Sequence, residues 1–525
     1  MECWSTLTFV PLVIPPMNSP SLLVPHTLTW PDYVMLAIYF ALNLGIGWWC
    51  ARRRRAGGSF FLGDGKVLWW AAGISFFATG TSSISFMALP AKTFQSDWLA
   101  FGSGPAQSLA GVVVGLVFVG LLRRLNLTTI FDYLERRFSR KVRLLGAGLA
   151  VLLKICGRMS VVMLLPALAL ATVTGLNVYL SIILMGTVTT VYAMEGGFEA
   201  VVWTDVLQVG VMLGGVGTAI WFMAHGVPGG LGGIINTGTA MGKFHMVDWS
   251  WDINTPTVWV FIGMFCGSIF TQVADQPLMQ RALATANASE AKRTVILGTL
   301  LGLPSTIIFF FVGTALAVFY QAHPERLSAA LPNDAIFPYF IVNELPHGMV
   351  GLIIAGLFAA AMGALSSALN ATAAIIVTDF SSFFSAATDD AQRTRQARWT
   401  TLLAGGLATV MAALIASLRV ESLWDQYLKL LALIGGGFPG VFALGLLTRR
   451  ANAPGVMIGA LTSIVVTWWV QNYTHTNVFL HAAVAIATCV VVGYGMSLLV
   501  GRTVAREGLR GLTIWDLASD PTKQN

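Results

Sequence analysis

The chain has 525 residues, 56% of them hydrophobic and only 10% charged, with a formal net charge of +7. Water cannot solvate such a surface, which excludes a soluble domain of this size and points to an integral membrane protein. Five cysteines without metal spacing and seven histidines without ligand spacing leave no disulfide framework, metal centre or other cofactor to read.

Residues 1–30 are apolar but broken by Pro11, Pro15, Pro16, Pro20 and Pro25, and they lack a basic start. They read as an extracytoplasmic segment rather than a signal peptide, with Met17 an alternative start. Apolar runs of about 20 residues then predict thirteen membrane helices. These cover 31–51, 68–90, 99–122, 143–173, 177–194, 199–225, 256–275, 294–320, 347–379, 399–418, 423–447, 455–471 and 478–500. Residues 501–525 form a cytoplasmic tail, and no gap between spans is long enough for a separate soluble module.

Basic residues stay on the cytoplasmic side of a bilayer, and with the amino end outside most of the chain's 31 lysines and arginines fall inside. They include Arg52 to Arg55, Arg123, Arg124, Arg136, Arg137, Arg140, Lys141, Arg143, Arg281, Lys292, Arg293, Arg393, Arg395, Arg398, Arg449 and Arg450. The expected setting is the plasma (inner) membrane, multi-pass, with the carboxyl end cytoplasmic. The net charge is topology, not a nucleic-acid footprint.

Two spans are interrupted where anchoring alone needs no interruption. The second carries Ala78-Thr79-Gly80-Thr81-Ser82-Ser83 and then Pro90, and the seventh carries Gly263, Gly267 and Ser268 before Thr271-Gln272. Unwound backbone is tolerated at membrane depth only where it lines a cavity, although small residues also serve close helix packing. Two such helices five spans apart suggest inverted five-helix repeats at 68–225 and 256–447, with the site between them. Residues 31–51 are then an extra first helix and 455–500 two helices after the repeats.

Charges at membrane depth mark ion or solute pathways. Arg158 lies about 22 Å along its span from Arg143, near mid-membrane, and Asp205 lies on the sixth span. A planar guanidinium suits a carboxylate, and a buried carboxylate pairs with a cation or takes up a proton. Lys154, on the same face as Arg158, is read as snorkelling from its shallower position. No membrane-depth pair of acids, histidine cluster or nucleophile with a base emerges, so an enzyme is not expected.

Several ordered motifs resemble those of the sodium/solute symporters, over roughly residues 31–450. They are Ser59-Phe60-Phe61-Leu62-Gly63 with Trp69-Trp70, Thr129 to Phe138, Tyr192 to Gln208, Asp275-Gln276 with Gln280-Arg281, and Gly351 to Asn370. Pro90 to Phe94 with Asp97-Trp98, and Gly157-Arg158 followed by Leu165 to Leu170, are most similar to the bacterial sodium/sialic-acid symporters. The resemblance implies an all-α, LeuT-type fold of about thirteen transmembrane helices. It places a first sodium ion against Ala78, Thr81 and Ala360, but the positions that usually supply two hydroxyls are Gly363 and Ala364. A hard cation needs oxygen ligands, so this site is expected to be weakened. It places a second sodium at Asp205, Ser366 and Ser367, and the solute's carboxylate on Arg158. Thr79, Ser82, Ser83, Ser85 and Gln107 are expected to supply further solute contacts.

The expected function is import of a small anionic solute, a sugar acid or monocarboxylate, by alternating access. Sodium is the coupling ion. A proton-coupled or uncoupled carrier, or a sensor, is the alternative that the Gly363-Ala364 pair keeps open.

Overall fold

A backbone in lipid must satisfy its own hydrogen bonds, which here leaves helix as the spanning structure. The computed structural model describes residues 28–53, 61, 63–65, 67–174, 177–327, 331, 335–380, 390–417, 432, 436–500 and 511–517. Most of segment 1–30, most of the tail, Ser59, Phe60, Leu62 and the first half of the eleventh expected span lie outside the described residues. Among the described residues the regular structure is entirely helical.

The chain runs through α1 (Trp30–Arg53), α2 (Trp69–Gly80), α3 (Ser83–Gln95), α4 (Ser103–Val113), α5 (Val119–Arg124) and α6 (Ile130–Arg137). It continues through α7 (Arg140–Leu152), α8 (Ser160–Thr174), α9 (Val178–Gly226), α10 (Gly230–Ala240), α11 (Trp259–Ala274) and α12 (Gln276–Leu283). There follow α13 (Ala288–Ala322), α14 (Ile336–Glu344), α15 (Met349–Asp379), α16 (Asp390–Ser417), α17 (Gly437–Leu447), α18 (Ala453–Tyr473), α19 (His481–Leu499) and α20 (Ile514–Leu517). Side-chain caps start several of them: Asn177 on α9, Asn287 on α13 and Asn452 on α18 accept from the first-turn amides.

Among the described residues nine helical stretches, some running through several of these elements, are long and apolar enough to cross a membrane, and α2 with α3, bent by 53°, makes a tenth. The fifth and sixth expected spans meet in α9, which turns at Gly197. There φ is +65° and ψ −158°, a conformation open in practice to glycine alone.

Helix α15 lies at the centre. In its most apolar window 89% of residues are buried, against 22% for α1, so α15 meets protein on every side while α1 meets lipid on most. Its run from Gly356 to Ala374 is rich in Ala, Gly and Ser, which lets α9, α16 and α1 approach its backbone closely. The broken helices α2–α3 and α11–α12 pack beside this hub, and both also contact α13.

One arginine expected in a cytoplasmic loop has a structural role. Arg137 is buried, and its guanidinium donates to the carbonyls of Gly445 in the last turn of α17 and of Thr448 and Ala451 just past it. A helix end leaves its last carbonyls without donors, and the guanidinium supplies them.

Candidate functional site

Helix α2 stops at Gly80 because Thr81 and Ser82 adopt extended backbone, and Ser82 then caps α3 by accepting from Ile84 N. The last carbonyls of α2 therefore face inward without helical partners. In α11–α12 the break is Asp275, a single extended residue at φ −86° and ψ 103°, followed by Pro277 in the first turn of α12. The span carrying Arg158 is interrupted as well: Leu153–Met159 is π-helical, a widening frequent at functional sites.

These three interruptions border a cavity of about 290 Å³, at the small end of ligand sites. Its walls include Thr81, Ser82, Ser85, Gln107, Arg158, Ser268, Thr271, Gln272, Asp275, Ser305 and Thr306, with Phe309 and Phe310 as apolar surface. Of the expected solute contacts, Arg158, Ser82, Ser85 and Gln107 line it, together with Thr81, which was assigned to sodium. Thr79 and Ser83 do not. Their hydroxyls donate to the carbonyls of Ser75 and Val162, both at 2.8 Å.

Arg158 is already engaged. Nη1 donates to Asp275 Oδ2 at 3.1 Å, and Nη2 donates to the carbonyl of Thr79, freed by the break after Gly80. Lys154 does not snorkel: it is buried, and its Nζ donates to Asp275 Oδ1 at 3.0 Å. An unpaired ammonium would be too costly to bury, and Asp275 supplies the partner. The three groups together carry one surplus positive charge beside the cavity.

A second buried cluster surrounds Asp205. Its Oδ2 accepts from Ser75 Oγ at 2.5 Å and from Arg281 Nη2 at 3.2 Å. Arg281 also donates to Ser367 Oγ, to Ser75 Oγ at 2.9 Å and to the Pro277 carbonyl at 2.7 Å. Arg281 was expected in a cytoplasmic loop; the short α12 turns inward and places it among the most buried side chains of the chain. Ser366 Oγ is spent on the Gly363 carbonyl at 3.2 Å.

The other oxygen of Asp205 has a different environment. The Tyr39 carbonyl can only accept, so Asn43 presents its amide nitrogen there at 2.9 Å and its oxygen to Gln208 Nε2, also at 2.9 Å. Gln208 Oε1 is thereby turned toward Gly363. A Cβ at residue 363 would lie 2.8 Å from Gln208 Oε1 and 3.3 Å from Asp205 Oδ1. Both oxygens are buried without a hydrogen-bond donor among the described residues. Two such acceptors facing one missing side chain call for a donor or a positive species. Ala360, Gly363 and Ala364 are buried on α15, and neither of the last two carries a hydroxyl.

In the sequence Asp275 and Gln280 stand only as parts of motifs, and Arg281 also as one more basic residue of a cytoplasmic loop. Their pairings join segments more than 70 residues apart, which no local pattern displays.

The description "Sodium:solute symporter family" matches residues 60–463. A sodium/sialic acid symporter of Aliivibrio fischeri is 35% identical over 470 residues, covering 88% of this chain and 92% of the relative. The chain belongs to the sodium:solute symporter family. A sodium/sialic acid symporter of Proteus mirabilis is 34% identical over 476 residues, covering 89% of this family member and 95% of the relative. A substrate-bound, outward-open structure of a Na+-coupled sialic acid symporter matches with a TM-score of 0.83 at 31% identity, over 91% of this chain and 99% of that one. A nucleobase-cation-symport-1 family transporter in a closed conformation matches with a TM-score of 0.59 at 13% identity, over 87% and 98%, and shows the fold alone. The fold is the LeuT type, and this symporter is a multi-pass membrane transporter rather than an enzyme.

Proposed function

We propose that this symporter imports a small sugar acid of the sialic-acid type, driven by sodium, across the plasma (inner) membrane with its amino end outside. The observation that carries the solute reading is the surplus positive charge of Lys154, Arg158 and Asp275 beside a cavity lined with hydroxyls and amides. A monoanion neutralises that charge, and Ser82, Ser85, Gln107, Thr271 and Gln272 suit a hydroxylated body. The names of the relatives from Aliivibrio fischeri and Proteus mirabilis agree.

For the ion, the donor-free oxygens of Asp205 and Gln208 suit a sodium ion, with Ser366 and Ser367 close by in sequence on α15. The first sodium position keeps Ala78, Thr81 and Ala360 but lacks both hydroxyls, so one coupled ion is favoured over two. Proton coupling has a specific observation behind it too, since Arg281 already supplies Asp205 and Ser367 with a cation.

Uptake of radiolabelled sialic acid into proteoliposomes under separately imposed sodium and proton gradients tests the proposal. Accumulation should require inward sodium. Accumulation with a proton gradient alone selects the second reading, and equal uptake under neither gradient rejects coupling.

A further inference from the structure

Arg158 and Asp275 both reach the cavity, with side chains 15% and 16% exposed, whereas Lys154 stands behind them and is not part of the wall. Two cations thus share one carboxylate, Asp275 Oδ2 taking Arg158 and Oδ1 taking Lys154. On Arg158 the aspartate occupies the place that a solute carboxylate would occupy. We propose that Asp275 is a built-in stand-in for the solute's carboxylate, surrendering Arg158 to the incoming acid while Lys154 retains it. This rests on the reading of Arg158 as the carboxylate's partner.

The argument is one of charge. Breaking a buried ion pair by removing one partner is strongly destabilising, because the other charge is left uncompensated. If Asp275 were held by Arg158 alone, loading the acid would strand it. With Lys154 in place, the empty site is Lys154–Asp275–Arg158 with one positive charge in excess. The loaded site is two neutral pairs, Lys154 with Asp275 and Arg158 with the acid. Arg158 keeps the Thr79 carbonyl in both, so only Nη1 changes partner. Lys154 and Asp275 are positioning residues: they set how often Arg158 is available.

Availability has a measurable consequence. Where the binding-competent form is a fraction of the population, the apparent Kd is raised by the inverse of that fraction. Removing the stand-in should tighten binding of acids far more than binding of uncharged analogues.

The test is equilibrium binding of sialic acid and of its methyl ester to the full-length protein. Asp275→Asn alone leaves two unbalanced cations and can fail to fold. The informative variant is therefore Lys154→Met with Asp275→Asn, which keeps the wild-type net charge of the cluster. The expected result is that its Kd for sialic acid falls about tenfold, as for a competent fraction of about one tenth, and that the ratio of the acid's Kd to the ester's falls with it. Lys154→Met alone should weaken acid binding several-fold and leave the ester unchanged. Unchanged or weaker acid binding by the double variant overturns the inference, as does equal tightening for the ester, which would mean a loosened site. If wild type binds acid and ester equally, or Arg158→Ala binds the acid as wild type does, the solute reading has failed first, and the inference falls with it.

Discussion

Arg158 is the side chain on which solute binding turns, because it is the cationic member of the cavity wall and it cannot deprotonate. Truncating one partner of a buried, hydrogen-bonded charge pair costs about 2 kcal/mol or more, which is roughly thirtyfold in affinity. Arg158→Ala should raise the Kd for acidic solutes by at least that factor in an equilibrium titration. Lys at the same position should not restore it, since an ammonium cannot hold the Thr79 carbonyl and a carboxylate in one plane. Gly363 is the other residue that decides chemistry. Its missing side chain leaves room for Asp205 Oδ1 and Gln208 Oε1, and a methyl group there would press on an amide already held by Asn43. Gly363→Ala should cost about 1–3 kcal/mol, the usual range for overpacking. It should also weaken sodium dependence, read as a raised sodium concentration for half-maximal uptake.

At the scale of elements, function sits where helices are interrupted. The breaks at Thr81-Ser82 and Asp275, and the π-helical Leu153–Met159, each turn polar groups toward one cavity. Helix α12 has only eight residues, yet Asp275 immediately precedes it and Arg281 lies near its end, so it links the solute cluster to the Asp205 cluster. The turn at Gly197 sets the direction of the half of α9 that carries Asp205. A Cβ is strained at φ +65° and ψ −158°, at a cost of about 1–3 kcal/mol. Gly197→Ala should therefore lower the thermal midpoint of the detergent-purified protein. An unchanged midpoint would mean that the turn relaxes without cost.

For the whole molecule, the charges of the two linked clusters, Lys154, Arg158, Asp205, Asp275 and Arg281, sum to one positive charge, which a monoanion balances. One sodium ion travelling with that anion makes transport electroneutral, whereas two would move one charge, about 2.3 kcal/mol per 100 mV. Sialic acid uptake should thus be insensitive to an imposed membrane potential in proteoliposomes. Asp205→Asn should keep solute binding but lose its dependence on the ion gradient, and retained dependence would place the ion elsewhere.

The helical class, the family and the membrane setting were legible in the residue string. A transmembrane helix bonds to itself and needs only sufficient apolar length, so its signal is local. The presence of Arg158, Asp205 and the polar interruption after Ala78 in apolar surroundings was legible for the same reason. What only the tertiary structure decided was pairing. Arg137 and Arg281 look like any arginine of a basic loop, and Lys154 like any lysine that snorkels from within a span. Whether such a residue meets water or a buried acceptor depends on how distant segments pack: Lys154 and Asp275 are 121 positions apart and Arg281 and Asp205 are 76. An ion pair is a property of two places brought together, and one-dimensional order carries no distance between them.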